Sequence, residues 1–375
     1  MVVRFIHTSD LQLGMTRWYL SEDAQHRFTQ DRIDAIRRMG DLASEHRAMF
    51  IVVAGDVFES NQVSAQTVKR ALKALDGVPV PVFLLPGNHD PLDAGSVFRN
   101  RQFTEHCPEH VRVIHDSTPL PVPGVDGVEV VGAPWFGKHP LSDLVAEMSS
   151  GLTPASGWRV AVGHGAVSNL SPDAINPAII DLQSVQEAIA VGKFHYLALG
   201  DRHSATVVDQ GVHYSGAPVA TDFDEVDPGN CLVVELEHGS DPKVMPVRVS
   251  DWQFVDRDWD INSAADVAAF RAWLDGFPLP ERTVLQFGFT GTVSVADHAA
   301  LVEARAHAES LFAGVRYHAR TSDLAVMPEK TDADAVGLAG YERAAWDTLS
   351  AQAASGDSIA RDALALFFRL AREET

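Results

Sequence analysis

Ten residues of this 375-residue sequence have side chains suited to holding cations, contacting phosphate or moving protons, and they fall in five short clusters. Asp10 and Gln12 lie in D-L-Q-L-G (10–14), and Asp56 lies in G-D-V-F-E (55–59). Asn88, His89 and Asp90 lie in G-N-H-D (87–90), and His164 lies in G-H-G (163–165). Asp201, Arg202 and His203 lie in G-D-R-H-S (200–204). Carboxylate, carboxamide and imidazole donors without thiolate suit oxygen-preferring divalent ions such as manganese, magnesium or iron, with zinc within range. Glycine beside each cluster lets the backbone turn sharply and come close to an ion or a phosphate. Singly, each cluster has an ordinary explanation: G-N-H-D is a turn, an aspartate after a strand is a helix cap, and His164 is a core histidine. Five in order, each after a predicted strand, point to one shared metal site.

Such a site needs a frame that brings strand ends together. V-V-R-F-I-H-T (2–8), M-F-I-V-V-A (49–54) and V-P-V-F-L-L-P (80–86) read as strands. Helical spacing over 24–47 (Phe28, Ile33, Ile36, Met39, Leu42) and over 63–76 alternates with them. Strand-helix alternation argues for a sheet covered by helices, with ligands at the strands' carboxyl ends. Further apolar runs at 111–114, 128–133, 159–163, 195–199 and 231–236 complete an α/β, two-sheet sandwich flanked by helices. Around 238–252 the composition turns loop-like, and a new pattern begins. It reads as strand, helix 263–276, strand 283–290, helix 295–312 and strand 315–319, a small α/β module. Two amphipathic helices, at 339–353 and 357–373, follow Pro328. The expected organisation is a catalytic domain over 1–250, a cap over 251–328 and a helical segment over 329–375.

The order and spacing of the five motifs resemble the calcineurin-like metallophosphoesterase superfamily, and within it the SbcD-type nucleases of double-strand-break repair. H-T-S-D-L-Q-L-G, V-V-A-G-D-V-F-E and Y-L-A-L-G-D-R-H are similar to that family's metal motifs. Y-S-G-A-P-V-A-T-D-F-D-E looks like the hairpin after the last of them. The resemblance implies two divalent ions, foremost Mn2+, about 3.5–4 Å apart, which activate water for phosphodiester hydrolysis. It implies Asp10 and His203 on the first ion, Asn88 and His164 on the second, and Asp56 between them. His89 would protonate or stabilise the leaving oxygen, with Asp90 orienting it. It also implies DNA as substrate, an SbcC-type ATPase partner reached through the terminal helices and a homodimer, while the cysteine usage suits a reducing cytoplasm.

Two positions depart from the pattern. The family's D-x-H is here Asp10-Leu11-Gln12, and its G-H-x-H is Gly200-Asp201-Arg202-His203. Gln12 offers an amide oxygen and Asp201 an anionic one, a harder donor set, or else a weakened first site. Arg202 is a candidate for phosphate contact or a solvent-facing arginine. Trp18 and Tyr19 are candidates for stacking on a base or for packing against the cap. His7 reads as a core or supporting histidine.

Composition sets limits on the rest. The net charge is −21 and the pI near 5.0, the opposite of the basic footprint of most nucleic-acid binders. The first hundred residues hold eleven Lys/Arg against twelve Asp/Glu, so nearly all the excess lies beyond them. Residues 251–325 hold six Arg, no Lys and eleven acids. This acidity keeps open a small-molecule phosphoesterase, and Gln12 with Asp201 keeps open a catalytically degenerate adaptor of an ATPase. Two distant cysteines give no disulfide framework, and no apolar stretch approaches the length of a membrane span.

Overall fold

The computed structural model describes residues 2–171, 176–318, 322–327, 338–357, 359–360, 363–364 and 366–367. The chain divides into two compact units, Met1–Trp18 with Gln25–Gln253, and Tyr19–Ala24 with Phe254–Thr375.

The first unit is a sandwich of two six-stranded sheets. One contains β1 (Val2–Thr8), β2 (Ile51–Val53), β3 (Val82–Leu84), β4 (Val111–Val113), β11 (Asn230–Glu237) and β12 (Lys243–Arg248), in the order β12-β11-β1-β2-β3-β4. The other contains β5 (Leu120–Pro121), β6 (Val128–Gly132), β7 (Trp158–His164), β8 (Tyr196–Gly200), β9 (Thr206–Asp209) and β10 (Val212–Tyr214), in the order β5-β6-β7-β8-β10-β9. Strands β1 to β4 run parallel, as do β6, β7, β8 and β10, while β5, β9, β11 and β12 pair antiparallel at the margins.

The central parallel strands are mostly apolar because both of their faces are covered. Phe5, Val52 and Phe83 point inward against Val130, Val160, Val162 and Tyr196 of the opposite sheet. Their neighbours Ile6, Ile51, Val53 and Leu84 point outward into a second core, shared with helices α1 (Glu22–Glu45) and α2 (Ala65–Asp76). On the other outer face Ala161, Leu197 and Leu199 pack with residues of α4 (Leu144–Ser150) and α5 (Leu182–Ala190); the short α3 (Arg101–Thr104) precedes β4. Ser64 caps α2 by accepting from the Thr67 N–H, and Asp143 and Asp181 cap α4 and α5 in the same way.

The second unit has two three-stranded sheets. One contains β13 (Gln253–Asp256), β15 (Thr283–Phe287) and β17 (Gly314–Tyr317); the other contains β14 (Trp259–Asp260), β16 (Phe289–Ser294) and β18 (Asp323–Met327). Helices α6 (Ala264–Asp275) and α7 (Val295–Leu311) close its core around Phe270, Phe287, Phe289 and Leu301. The run 283–290, expected as one strand, is two: the chain changes sheets at Gly288, whose N–H donates to Asp258 Oδ1 at 2.7 Å. The segment 238–252, expected as loop, contains β12, an exposed edge strand whose Lys243 and Pro246 obscure its pattern. Helix α8 (Tyr341–Ala354) matches the first terminal helix, while that expected at 357–373 lies largely outside the described residues. Among the described residues no helix is long and apolar enough to cross a membrane.

Candidate metal centre

The five motifs follow the carboxyl ends of β1, β2, β3, β7 and β8, all of them parallel strands, and backbone bonds bind the first two loops together. The N–H groups of Asp10 and Gln12 donate to Gly55 O and Asp56 O at 3.0 Å each. Six non-glycine residues among those described have positive φ, and four are Asp10 (52°), Gln12 (48°), Asp56 (52°) and Asp201 (93°). Left-handed backbone costs a non-glycine residue free energy, and such strain concentrates where side chains must be aimed for function. The glycines leave room for it. A Cβ on Gly55, itself at φ +95°, would stand 2.0 Å from His164 Nδ1, and one on Gly87 would stand 2.2 Å from Asp56 Oδ1.

Asp56 is the hub. Its Oδ1 accepts from the His89 N–H at 2.9 Å and lies 3.5 Å from His164 Nε2; its Oδ2 accepts from Gln12 Nε2 at 3.0 Å and lies 3.8 Å from His89 Nε2. His164 is held through Nδ1 to Ala54 O at 2.8 Å, and its Nε2 lies 2.6 Å from Asn88 Oδ1 and 3.8 Å from Asp201 Oδ1. The buried Asp10 accepts from Ser9 Oγ at 2.5 Å and from the Asp201 N–H, and its Oδ1 lies 3.7 Å from His203 Nε2. Ligand atoms of Asp10, Asp56 and His164 lie within 4.8 Å of one another. His89, whose side chain is 41% exposed, stands at the mouth with Nδ1 bonded to Glu59 O at 2.9 Å.

The electrostatics of this cluster call for positive charge. Burial opposes protonation of His164, but Asp56, Asp10 and Asp201 outweigh it and raise the pKa to about 9. For His203, burial is likewise outweighed by Glu225 and Asp10, again to about 9. Desolvation pushes Asp10 up to about 6 and, with repulsion from Asp56, Asp90 up to about 7. His7 behaves as a core histidine: burial lowers it to about 3, and it bonds Tyr196 Oη and Leu199 O at 3.1 Å each.

Asp10, Gln12, Asp56, Asn88, His89, His164, Asp201 and His203 are thus brought to one sheet edge. Asp90 needs a correction. Its two oxygens accept from Gly87 N–H (2.8 Å) and Phe58 N–H (2.9 Å), so it ties two loops together, and the His89 ring is oriented by Glu59 O instead. A buried carboxylate is drawn to backbone donors that would otherwise go unpaired. The Arg202 guanidinium donates to Thr206 Oγ1 at 3.0 Å. Tyr19 lies beneath Arg316 of the 251–328 segment, 5.1 Å from guanidinium to ring centre, which favours the packing reading; Trp18 is exposed. Sequence reading missed Glu225 and Thr221, which bond His203 Nδ1 at 3.0 and 2.6 Å. It also missed the supporting role of Trp135, whose indole N–H donates to His164 O at 2.8 Å. Asp256, Asp258 and His318 form another trio, but an exposed and internally bonded one.

The residues present suit divalent ions. The donors are carboxylate, amide and imidazole, and Gln12 Oε1 is buried without a partner among the described residues. In the structure it is the Gln12 amide nitrogen that faces Asp56, but oxygen and nitrogen of a carboxamide exchange by a half-turn of its last bond.

The chain is 25% identical over 261 residues to a component of the nuclease SbcCD of Escherichia coli (strain K12), covering 60% of this chain and 62% of that one. It is 32% identical over 91 residues to the DNA double-strand break repair protein Mre11 of Archaeoglobus fulgidus, covering 24% of this chain and 19% of that one. A dimetal phosphatase structure from Danio rerio aligns with TM-score 0.39 and 13% identity over 66% of this chain and 99% of that one. The sequence pattern of the calcineurin-like phosphoesterases matches residues 3–234, and the chain belongs to that family.

Proposed function

We propose that this protein is a DNA nuclease that hydrolyses phosphodiester bonds at a two-metal centre, acting in the cytoplasm as a homodimer with an SbcC-type ATPase. The observation that carries the reading is the meeting of four motifs on Asp56, whose carboxylate contacts Gln12, His89 and His164. Similarity to a nuclease component and to a double-strand-break repair protein supports DNA as the substrate.

Asp10, His203, Gln12 and Asp201 would hold one ion, Asn88 and His164 the other, and Asp56 both. When bound, the ions, foremost Mn2+, supply Lewis acidity that activates water and offsets charge on the phosphoryl group. The chain's own contribution is positional. Ala54 O fixes His164 at Nδ1, leaving Nε2 directed at Asn88 and Asp56. Glu59 O fixes His89 at Nδ1, leaving Nε2 at the mouth to give a proton to the departing oxygen.

The test is Mn2+-dependent cleavage of end-labelled linear duplex DNA, alongside a chromogenic phosphodiester, by wild type and His89→Ala. DNA cleavage that the substitution abolishes supports the reading. Turnover of the chromogenic ester alone, even with an SbcC-type partner present, replaces it with a small-molecule phosphodiesterase, which the acidity of residues 251–325 favours. Fewer than two bound ions and no turnover leave an adaptor.

A further inference from the structure

The loop between β10 and β11 contains none of the five motifs, yet two buried charged groups converge on it. Glu225 lies on this loop with a side chain only 5% exposed. Its Oε2 accepts from the Thr221 N–H at 2.8 Å; its Oε1 accepts from the Thr221 hydroxyl and lies 3.0 Å from His203 Nδ1. A carboxylate can only accept there. The last ring proton of His203 must therefore sit on Nδ1, which leaves Nε2 as the bare nitrogen, 3.7 Å from Asp10 Oδ1.

The same loop is gripped from its other side. Arg32, on α1, is 2% exposed, and among the described residues its guanidinium donates to neutral acceptors: Leu11 O at 3.0 Å, Ala220 O at 3.2 Å and Met15 Sδ at 3.2 Å. It also lies 4.5 Å over the Phe28 ring. Arg17 adds bonds from Nε and Nη2 to Thr221 O at 3.2 and 2.8 Å. Leu11 stands between Asp10 and Gln12, and Ala220 precedes the threonine that shares His203 with Glu225. Burial of the guanidinium is costly, and the charges of Glu225 and Glu59 offset part of that cost without a direct hydrogen bond. The position of Arg32 is explained if it joins two loops that must keep register.

We propose that Glu225 and Arg32 are positioning residues for the Asp10–His203 half of the centre. Glu225 fixes the His203 ring with Nε2 toward Asp10, and Arg32 locks the Glu225 loop onto the Asp10–Gln12 turn. The proposal rests on the two-metal reading above.

Mn2+ titration calorimetry and EPR on the full chain test it, with melting of the metal-free protein as the control for folding. Glu225→Ala should weaken one of two ions by about 10- to 100-fold and leave the other unchanged, the usual cost of losing a histidine's supporting partner. Glu225→Gln, which keeps an acceptor for Nδ1–H, should lie between. Arg32→Met should weaken the same ion, and Arg32→Lys should restore part of it. Wild-type affinity for both ions in Glu225→Ala overturns the proposal, as does equal weakening of both ions in step with a lower melting temperature. If Arg32→Met does not fold, Arg17→Ala reads the grip on the loop, and retained affinity for both ions in that variant overturns that half. Should the wild type itself bind fewer than two ions, the two-metal reading fails. The His203 tautomer then decides: nitrogen-15 NMR at alkaline pH should give Nδ1–H in wild type and mixed forms in Glu225→Ala, and identical spectra reject the role of Glu225.

Discussion

Asp56 and His89 stand side by side in the cluster but answer to different constraints. Asp56 is buried and touches three other motifs, so Asp56→Ala removes the proposed common ligand and one acceptor each for His89 N–H and Gln12 Nε2. The expected result is loss of binding of both ions in calorimetry. His89 is half exposed, and its ring is set by the Glu59 backbone carbonyl. His89→Ala should therefore keep two ions and the wild-type melting temperature while kcat falls by about 10²- to 10⁴-fold, the usual contribution of a positioned acid. Asp90 behaves in the opposite way. Asparagine at this position would turn an amide N–H toward Gly87 N–H or Phe58 N–H and leave a buried donor unpaired. Asp90→Asn should cost about 1–3 kcal/mol of stability, measured by denaturant unfolding, and any loss of kcat should be accompanied by that instability.

At the scale of elements, the strands that aim the site are legible because they are buried on both faces. Ile51, Val52 and Val53 alternate between two cores, and no polar residue interrupts them. The margins are less legible. β5, β9 and β12 have few buried residues to mark them, and the split at Gly288 depends on a bond to Asp258 thirty residues away. The site divides in the same way. Its motif residues could be read because each cluster is contiguous and follows a strand. Glu225, Arg32 and Trp135 could not, since their roles come from partners 17 to 188 positions distant. Gly55 shows what a turn contributes to chemistry. Gly55→Ala would place a methyl carbon 2.0 Å from His164 Nδ1 at a φ of +95°. Strain of this kind costs about 1–3 kcal/mol, so the variant should melt lower and lose affinity for the ion assigned to His164 and Asn88. Unchanged calorimetry would show that the loop relaxes without moving the imidazole.

The charge of the whole molecule and the charge of the centre point to one dependence on pH. His164 and His203 are raised to about 9, and Asp10 and Asp90 to about 6 and 7. A raised pKa in the folded state means that the fold binds protons more tightly than the unfolded chain does. For the histidines that stabilisation is complete below the ordinary imidazole value and is lost as pH climbs through about 9. For the two aspartates the penalty of ionisation builds above the ordinary carboxylate value and is complete once pH exceeds about 6 and 7. From pH 6 to pH 9 the histidines dominate, with Asp90 adding only up to about pH 7, so the metal-free protein should melt progressively lower, and its net charge of −21 adds repulsion to that trend. Divalent ions reverse the sign. They need the imidazoles neutral and supply the positive charge that the protons had supplied, so their affinity should rise with pH while protons are released. Melting curves at pH 6, 7.5 and 9, with and without Mn2+, test this directly. The expected stabilisation by Mn2+ is largest at pH 9. A Mn2+ effect that is equal at all three values would mean that His164 and His203 do not exchange protons for metal, and that the ions bind elsewhere on this acidic surface.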